Sequence, residues 1–155
     1  MALVRGSLRE NEATIDMPIG RSKKDRKKMA VVPNGKYAST HYRVLKRFPQ
    51  DGYTYVECKL KTGRTHQIRV HMASIHHPLL GDVQYGGKRL KSLNKASVEL
   101  DEALRAFRHQ ALHAAHIEFV HPTSGEAMSF DAPLPEDFSR LIDLLRRDKA
   151  ENGEF

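Results

Sequence analysis

The chain has little of the chemistry on which disulfide-linked, metal-binding and membrane proteins depend. Its 155 residues include one cysteine, Cys58, and no tryptophan. A single cysteine excludes an internal disulfide and a cysteine-based zinc site. No apolar run approaches the roughly 20 residues of a membrane-spanning helix. The first residues also lack the apolar core and cleavage site of a secretory signal. The sequence therefore predicts a cytoplasmic protein without membrane association.

Several common catalytic motifs are missing as well. Gly-x-Ser-x-Gly is absent, and Cys58 lies inside a predicted strand, where a core role is expected. The segment Lys61–Thr65 lacks the spacing of a P-loop, although a helix N-terminus can hold a phosphate without that motif. His66 and His71 are five residues apart and lie on different faces of a helix, unlike the histidine pair of zinc proteases. We predict no metal site. Asp82 is open to two interpretations, a functional carboxylate or a turn-forming residue.

The charge balance is strongly basic. Lysine and arginine number 26 against 19 acids, which gives a net charge of +7. Such an excess favours a polyanionic partner, and it is concentrated in one segment whose only acid is Asp25. Its basic residues are Arg21, Lys23, Lys24, Arg26, Lys27 and Lys28. We predict that they contact RNA. Aromatic residues are only 7% of the chain, which argues against a single-strand stacking platform.

Hydrophobic patterning predicts an α+β fold with a mixed, mainly antiparallel sheet and flanking helices. Strands are predicted over 2–8, 13–19, 29–33, 37–48, 53–60, 111–121 and 126–131, and helices over 66–75, over 99–107 and from Pro135. The basic segment 20–28 has no apolar periodicity and is predicted to be an exposed loop. We assign residues 1–147 to one domain and 148–155 to a tail.

The most informative stretch runs from Leu60 to Met72 (LKTGRTHQIRVHM). Thr65 is a candidate N-cap for the helix over 66–75, and Ile68, Met72 and Ile75 form its apolar stripe. Arg69 lies beside that stripe. Arginines spaced in this way can bind phosphate, carboxylate or both. The alternative is an ordinary capped helix with arginines that face solvent.

This stretch resembles the third motif of the RluA/RluD-type pseudouridine synthases, which modify large-subunit ribosomal RNA, and is most similar to the RluD-like branch. The resemblance extends in order along nearly the whole chain. Its motifs are Ser39–Leu45 (STHYRVL), Gly63–His71 (GRTHQIRVH), His77–Asp82 (HPLLGD), Tyr85–Gly87 (YGG), Gln110–Ala114 (QALHA), His121–Glu126 (HPTSGE) and Ala132–Pro135 (APLP). The resemblance implies part of the pseudouridine synthase fold.

The resemblance also implies an activity, the isomerisation of specific uridines in 23S ribosomal RNA without metal or cofactor. Arg69 matches the arginine that pairs with the nucleophilic aspartate of the family. Leu112 matches the apolar residue of the family that packs near the base, and Ile68 should help to wall the pocket. Arg64, Thr65 and His66 are placed to meet the flipped nucleotide or its phosphates.

The family's nucleophile lies in an Arg-Leu-Asp-x-x-Thr/Ser-Gly motif, which this sequence does not contain. The resemblance therefore covers the C-terminal portion of a catalytic domain, and the chain alone is expected to be inactive. We expect Arg69 to lose its carboxylate partner and to be solvated or anion-bound. Missing strands should leave an open sheet edge that permits self-association. Two alternatives stay open: a non-catalytic RNA-binding fragment, and a small basic structural protein of the ribosome.

Overall fold

A computed structural model describes residues 1–49, 51–86 and 97–151, with side chains up to Arg147. In chain order its elements are β1 (Ala2–Arg5), β2 (Glu12–Asp16), β3 (Ile19–Arg21), β4 (Met29–Val31), β5 (Ser39–Phe48), β6 (Tyr53–Leu60), α1 (Gln67–Ser74), a 3-10 turn (Val83–Tyr85), α2 (Val98–Ala106), β7 (His116–Val120), β8 (Ala127–Asp131) and α3 (Glu136–Glu151). The predicted α+β class with antiparallel sheets is confirmed.

The main sheet has four antiparallel strands in the order β1-β6-β5-β2. Its centre is the long β5–β6 hairpin, which turns at Gly52 with a φ of 75°. Positive φ is accessible to glycine without a Cβ clash. The register shifts between Val44 and Lys46. Such a bulge increases the local twist of a strand.

The outer edge of β1 is covered by two later segments of the chain. The Leu3 amide donates to the Ala111 carbonyl at 3.1 Å, and the Leu80 amide donates to the Leu3 carbonyl at 2.9 Å. Leu79 and Leu112 form isolated bridges to Val4 and Ala2. The expectation of an open edge is therefore wrong for β1. The outer side of β2 has no paired strand within the described ranges, and self-association through it stays a prediction.

Helices cover both faces of the main sheet. On one face, Leu3, Phe48, Tyr53 and Tyr55 share a buried cluster with residues of α2 and α3. The predicted stripe of α3 is confirmed as buried: Phe138, Leu141, Ile142 and Leu145. On the opposite face, Val4, Tyr42 and Val56 cluster with Met72 of α1 and with Leu79. The sheet thus separates the α2–α3 side from the side that carries α1.

Several predicted boundaries differ from the structure. Strand 13–19 is divided into β2 and β3, so Arg21 ends a strand and only 22–28 form the basic loop. The strand expected over 111–121 begins at His116, because residues 111 and 112 bind β1 instead. The predicted tail begins inside α3, which continues to Glu151, and 152–155 lie outside the described residues. None of the helices in the described ranges has both the length and the apolar character of a bilayer span.

Candidate active site

A buried glutamine holds the loop that precedes α1. Gln67 is 3% exposed, and its Nε2 donates to the Ser39 carbonyl and to Thr40 Oγ1, both at 2.9 Å. Its Oε1 accepts from Thr62 Oγ1 at 2.7 Å and from the Arg64 amide at 2.9 Å. All four hydrogen-bonding positions of the side-chain amide are filled. Gln67 therefore fixes the loop 61–66 to the start of β5.

His71, one turn later, is also structural. It is fully buried, and its Nε2 lies 2.9 Å from the Met17 carbonyl, which can only accept. Nε2 therefore carries the proton, and Nδ1 accepts from Thr40 Oγ1 at 2.8 Å. The sequence did not identify Gln67 and His71 as the residues that hold α1 against β5. Their signal was a pair of polar residues at i and i+4 on a short helix, which places them on one face.

The predicted cap of α1 is wrong. The N-cap residue is His66, not Thr65, and no side chain caps the helix. His66 has a φ of 54°, in the left-handed region. The Gln67 amide, which a cap at Thr65 could bind, donates to the Arg64 carbonyl instead. A left-handed non-glycine residue costs about 1–2 kcal/mol and is retained where its surroundings hold it.

Tyr85, in the 3-10 turn, joins three parts of the site. Its hydroxyl lies 2.8 Å from His66 Nδ1 and 3.0 Å from the amide nitrogen of Met29, the first residue of β4. The Arg69 guanidinium lies over its ring, with Cζ 4.9 Å from the centroid, a cation–π arrangement. The sequence placed Tyr85 in a motif but did not identify this role, because loop residues show no periodicity.

Arg69 has a carboxylate partner within this chain, so the expectation that it lacks one is wrong. Its Nε donates to Asp82 Oδ2 and its Nη2 donates to Asp82 Oδ1, both at 2.9 Å. Nη2 also donates to Gln84 Oε1 at 3.0 Å. The side chain of Asp82 is 1% exposed and that of Arg69 is 13% exposed. The pairing arises because the segment after Pro78 bonds to β1 and returns over α1.

The Arg69–Asp82 pair has two consequences for the site. Hydrogen bonding to Asp82 raises the pKa of Arg69, so the guanidinium stays charged. Both bonds use the Nε–Nη2 edge, and Nη1 has no hydrogen-bond partner among the described residues. Asp82 borders the 3-10 turn, as one interpretation expected, and its carboxylate also pairs with Arg69. Arg69 can therefore hold a second acceptor on Nη1 while it remains anchored.

The remaining predicted site residues lie on α1, in the loop before it and in the segment that pairs with β1. Ile68 and Leu112 are partly buried and pack against the apolar cluster beneath α1. Thr65 is exposed, and Arg64 is oriented by its Nε, which donates to the Tyr37 carbonyl at 2.8 Å. Cys58 is in the same apolar cluster, and burial raises the pKa of its thiol to about 11. A core role for that cysteine agrees with this value.

The basic loop lies against the same site. Gln84 Nε2 donates to the Lys27 carbonyl at 3.4 Å, and Tyr85 binds the Met29 amide. Burial, with the charges of Arg69 and Arg21, lowers the pKa of His66, and Asp82 partly opposes this. Arg21 is therefore within electrostatic range of the motif on α1. Apart from the half-buried Lys28, the basic residues of the segment are exposed: Arg21, Lys23, Lys24, Arg26 and Lys27.

Comparison with known proteins decides the family. The model of a family described as RNA pseudouridylate synthase matches residues 1–74. A ribosomal large subunit pseudouridine synthase D from Xanthomonas campestris pv. campestris is 49% identical over all 155 residues, which span 46% of that protein. One of the same name from Pseudomonas aeruginosa is 54% identical over 136 residues, 88% of this chain and 42% of the relative.

The chain belongs to the RluA/RluD-type pseudouridine synthases. A solved structure of the human RNA pseudouridylate synthase domain containing 1 agrees in fold, with a TM-score of 0.65 and 27% sequence identity. It matches 94% of this chain, which covers 63% of that structure. The chain spans less than half the length of these two curated relatives. The family-model match includes Arg69 and ends before Asp82 and Tyr85.

Proposed function

We propose that the chain carries the arginine-bearing half of an active site that converts uridine to pseudouridine in 23S ribosomal RNA. The names of its relatives point to the large ribosomal subunit. The observation that carries the proposal is Arg69, whose guanidinium is anchored along one edge by Asp82 and open at Nη1. A guanidinium fixed in this way can orient a further carboxylate.

The reaction exchanges a carbon–nitrogen for a carbon–carbon glycosidic bond and needs no net redox change. In the family an aspartate begins this exchange, and its Arg-Leu-Asp motif does not occur in this sequence. That carboxylate must therefore come from polypeptide other than these 155 residues. Arg69 would hold it through Nη1 and keep it ionised. Because Asp82 already balances the arginine charge, the incoming carboxylate would not be neutralised as fully as by a free guanidinium.

The target uridine would leave its helical stack and enter the site, as in other enzymes that act on a base. Ile68 and Leu112 would supply the apolar wall against the base. Arg64, Thr65 and His66 would meet the nucleotide or its phosphates. The basic residues of the loop would hold the RNA backbone: Arg21, Lys23, Lys24, Arg26, Lys27 and Lys28.

A chimera tests the catalytic proposal. The upstream part of the Xanthomonas relative would be joined to this chain, because the alignment covers all 155 residues at 49% identity. Tritium release from 5-tritiated uridine in 23S RNA measures activity. We expect release by the chimera and a loss of at least about 100-fold in Arg69→Lys, since lysine cannot bind two acceptors in the same geometry.

The matched control is Arg43→Lys, an exposed arginine on β5 that pairs with Glu57 at 3.4 Å. It should retain the activity of the unmodified chimera, because surface pairs contribute little. A folded chimera that binds RNA but releases no tritium would refute the catalytic proposal. Equal losses in Arg69→Lys and Arg43→Lys would refute the role of Arg69.

A second candidate function is RNA binding without catalysis. It is favoured by the basic loop together with the absent aspartate motif. The same tritium-release assay, with this chain alone at high protein concentration, distinguishes catalysis from RNA binding without catalysis. Binding without tritium release is expected of this chain by itself. Release that Arg69→Ala abolishes would mean that a carboxylate of this chain, such as Asp82, performs the reaction.

A further inference from the structure

The Tyr85 hydroxyl lies within hydrogen-bond distance of both the Met29 amide and the His66 ring. The Met29 amide can only donate, so the Tyr85 hydroxyl accepts from it at 3.0 Å. The hydroxyl proton is then available to His66 Nδ1, 2.8 Å away. When that proton is donated to Nδ1, the neutral imidazole carries its own proton on Nε2.

The ring is held in this orientation by its surroundings. The left-handed backbone of His66 fixes the start of its side chain, and the Tyr85 ring meets the imidazole edge-on with centroids 5.6 Å apart. The His66 side chain is half-buried, and its Nε2 has no hydrogen-bond partner among the described residues. The site therefore presents one fixed, unused N–H donor.

The charges around this donor favour an anion. Arg69 and Arg21 both act on His66, and Asp82 is the acidic group within range. Both Asp82 oxygens are bonded to Arg69, and Arg21 has no ion pair with an acid among the described residues. The basic loop 22–28 begins directly after Arg21. A neutral donor beside these cations suits a phosphodiester oxygen.

We propose that His66 is a phosphate-contacting residue, whose Nε2–H donates to a phosphodiester oxygen of bound RNA, and that Tyr85 is the positioning residue that fixes this tautomer. This proposal rests on the proposed function, the modification of uridine in RNA, and it names the atom that contacts the RNA. A neutral donor releases no counterion, so His66 should add affinity without adding to the salt dependence of binding. Arg21, which is charged, should add both to the affinity and to the salt dependence of binding.

Two substitutions of His66 give the first test. Glutamine places an amide donor near the position of Nε2, whereas asparagine reaches only to the position of Nδ1. With a uridine-containing RNA hairpin as probe, we expect Kd within about twofold of wild type for His66→Gln. We expect a Kd about fivefold higher for His66→Asn, the loss of one net hydrogen bond. Backbone strain predicts the opposite ranking, because asparagine tolerates the left-handed region better.

The salt dependence gives the second test. Binding would be measured between roughly 50 and 200 mM salt, where phosphate contacts have a large effect on affinity. Over this range His66→Asn should leave the slope of log K against log salt unchanged. Arg21→Gln should reduce that slope by about 0.7–0.9. The matched control is His41→Asn, a change at a histidine on β5 that bonds to Glu12 and Thr14, which should alter neither quantity. Equal affinities for the two His66 variants, or a reduced slope in His66→Asn, would overturn the proposal.

Nitrogen NMR of the histidine rings tests the role of Tyr85 directly. In the wild-type chain, His66 should show a protonated Nε2 and an unprotonated Nδ1. Tyr85→Phe keeps a ring beneath Arg69 but removes the hydroxyl, so the two tautomers of His66 should mix. A protonated Nδ1 in the wild-type protein would refute the inference even if the chimera releases tritium. If the chimera is inactive but the affinity ranking holds, the phosphate contact stands and the catalytic proposal fails.

Discussion

His66 and His76 are the two non-glycine residues with positive φ in the described part of the chain, and they lie at the two ends of α1. At His66 the unusual backbone accompanies a network that includes Tyr85 and the start of β4. At His76 it belongs to helix termination: the His77 amide donates to the Met72 carbonyl and the His76 amide donates to the Ala73 carbonyl. The left-handed backbone is therefore part of the candidate site at His66, before α1, and part of a C-terminal helix cap of the kind usually made by glycine at His76, after α1.

This difference predicts that His76→Gly stabilises the protein. Glycine removes a left-handed penalty of about 1–2 kcal/mol, and its greater freedom in the unfolded chain offsets about 0.5–1 kcal/mol. We expect a net gain of about 0.5–1 kcal/mol in the free energy of unfolding, measured with urea. Ala73→Gly, inside α1, is the control and should lose about 1 kcal/mol. A loss in His76→Gly would show that the imidazole makes a contact that outweighs the strain.

At the scale of the element, α1 is a short helix that depends on β5 for its position. Thr40 on β5 accepts from Gln67 and donates to His71, so one hydroxyl joins two turns of α1 to the sheet. All three side chains are at most 3% exposed. Buried polar groups in such a network are costly when a partner is removed.

Thr40→Val should therefore destabilise the protein more than its change in shape suggests. Valine has nearly the shape of threonine, but it leaves His71 Nδ1 and one Gln67 proton without partners. We expect a loss of about 2–4 kcal/mol in urea denaturation, from about 1–2 kcal/mol for each buried group. Thr54→Val is the matched control, since Thr54 is also fully buried and donates one bond, to the Gly6 carbonyl at 2.7 Å. Equal losses in the two variants would contradict the larger cost expected for a hydroxyl that serves two partners.

The elements that were predicted well are those with a regular apolar pattern. The β5–β6 hairpin and the buried stripe of α3 follow from alternation and from 3.6-residue spacing. The decisive contacts of the site do not, because they join a helix to loops: Arg69 to Asp82 across 13 residues, and Met29 to Tyr85 across 56. Thr65 is of a residue type that commonly caps helices, but the Gln67 amide donates to the Arg64 carbonyl instead. Family resemblance identified Arg69 but not the groups that orient it.

At the scale of the whole molecule, the sheet separates two surfaces of different charge. One side carries α2 and α3, whose acids include Glu99, Asp101, Glu136 and Asp143. The other carries α1, the Arg69 site and the basic loop, tied together by Gln84 and Tyr85. The net charge of +7 is therefore unevenly distributed. A polyanion should approach from the side of α1, and the loop should supply most of the charge contacts.

Paired charge removals on the two sides test this orientation. The double change Lys23→Gln and Lys24→Gln should reduce the slope of log K against log salt for RNA binding by about 1.4–1.8, because each phosphate contact contributes about 0.7–0.9. The control is Arg146→Gln with Arg147→Gln, which removes the same charge from the exposed end of α3. Since both doubles change the net charge equally, an effect of net charge alone would give equal slopes. Equal slopes would therefore contradict a directed RNA surface, whereas a smaller slope only in the lysine double would place the RNA backbone against the loop beside Arg69.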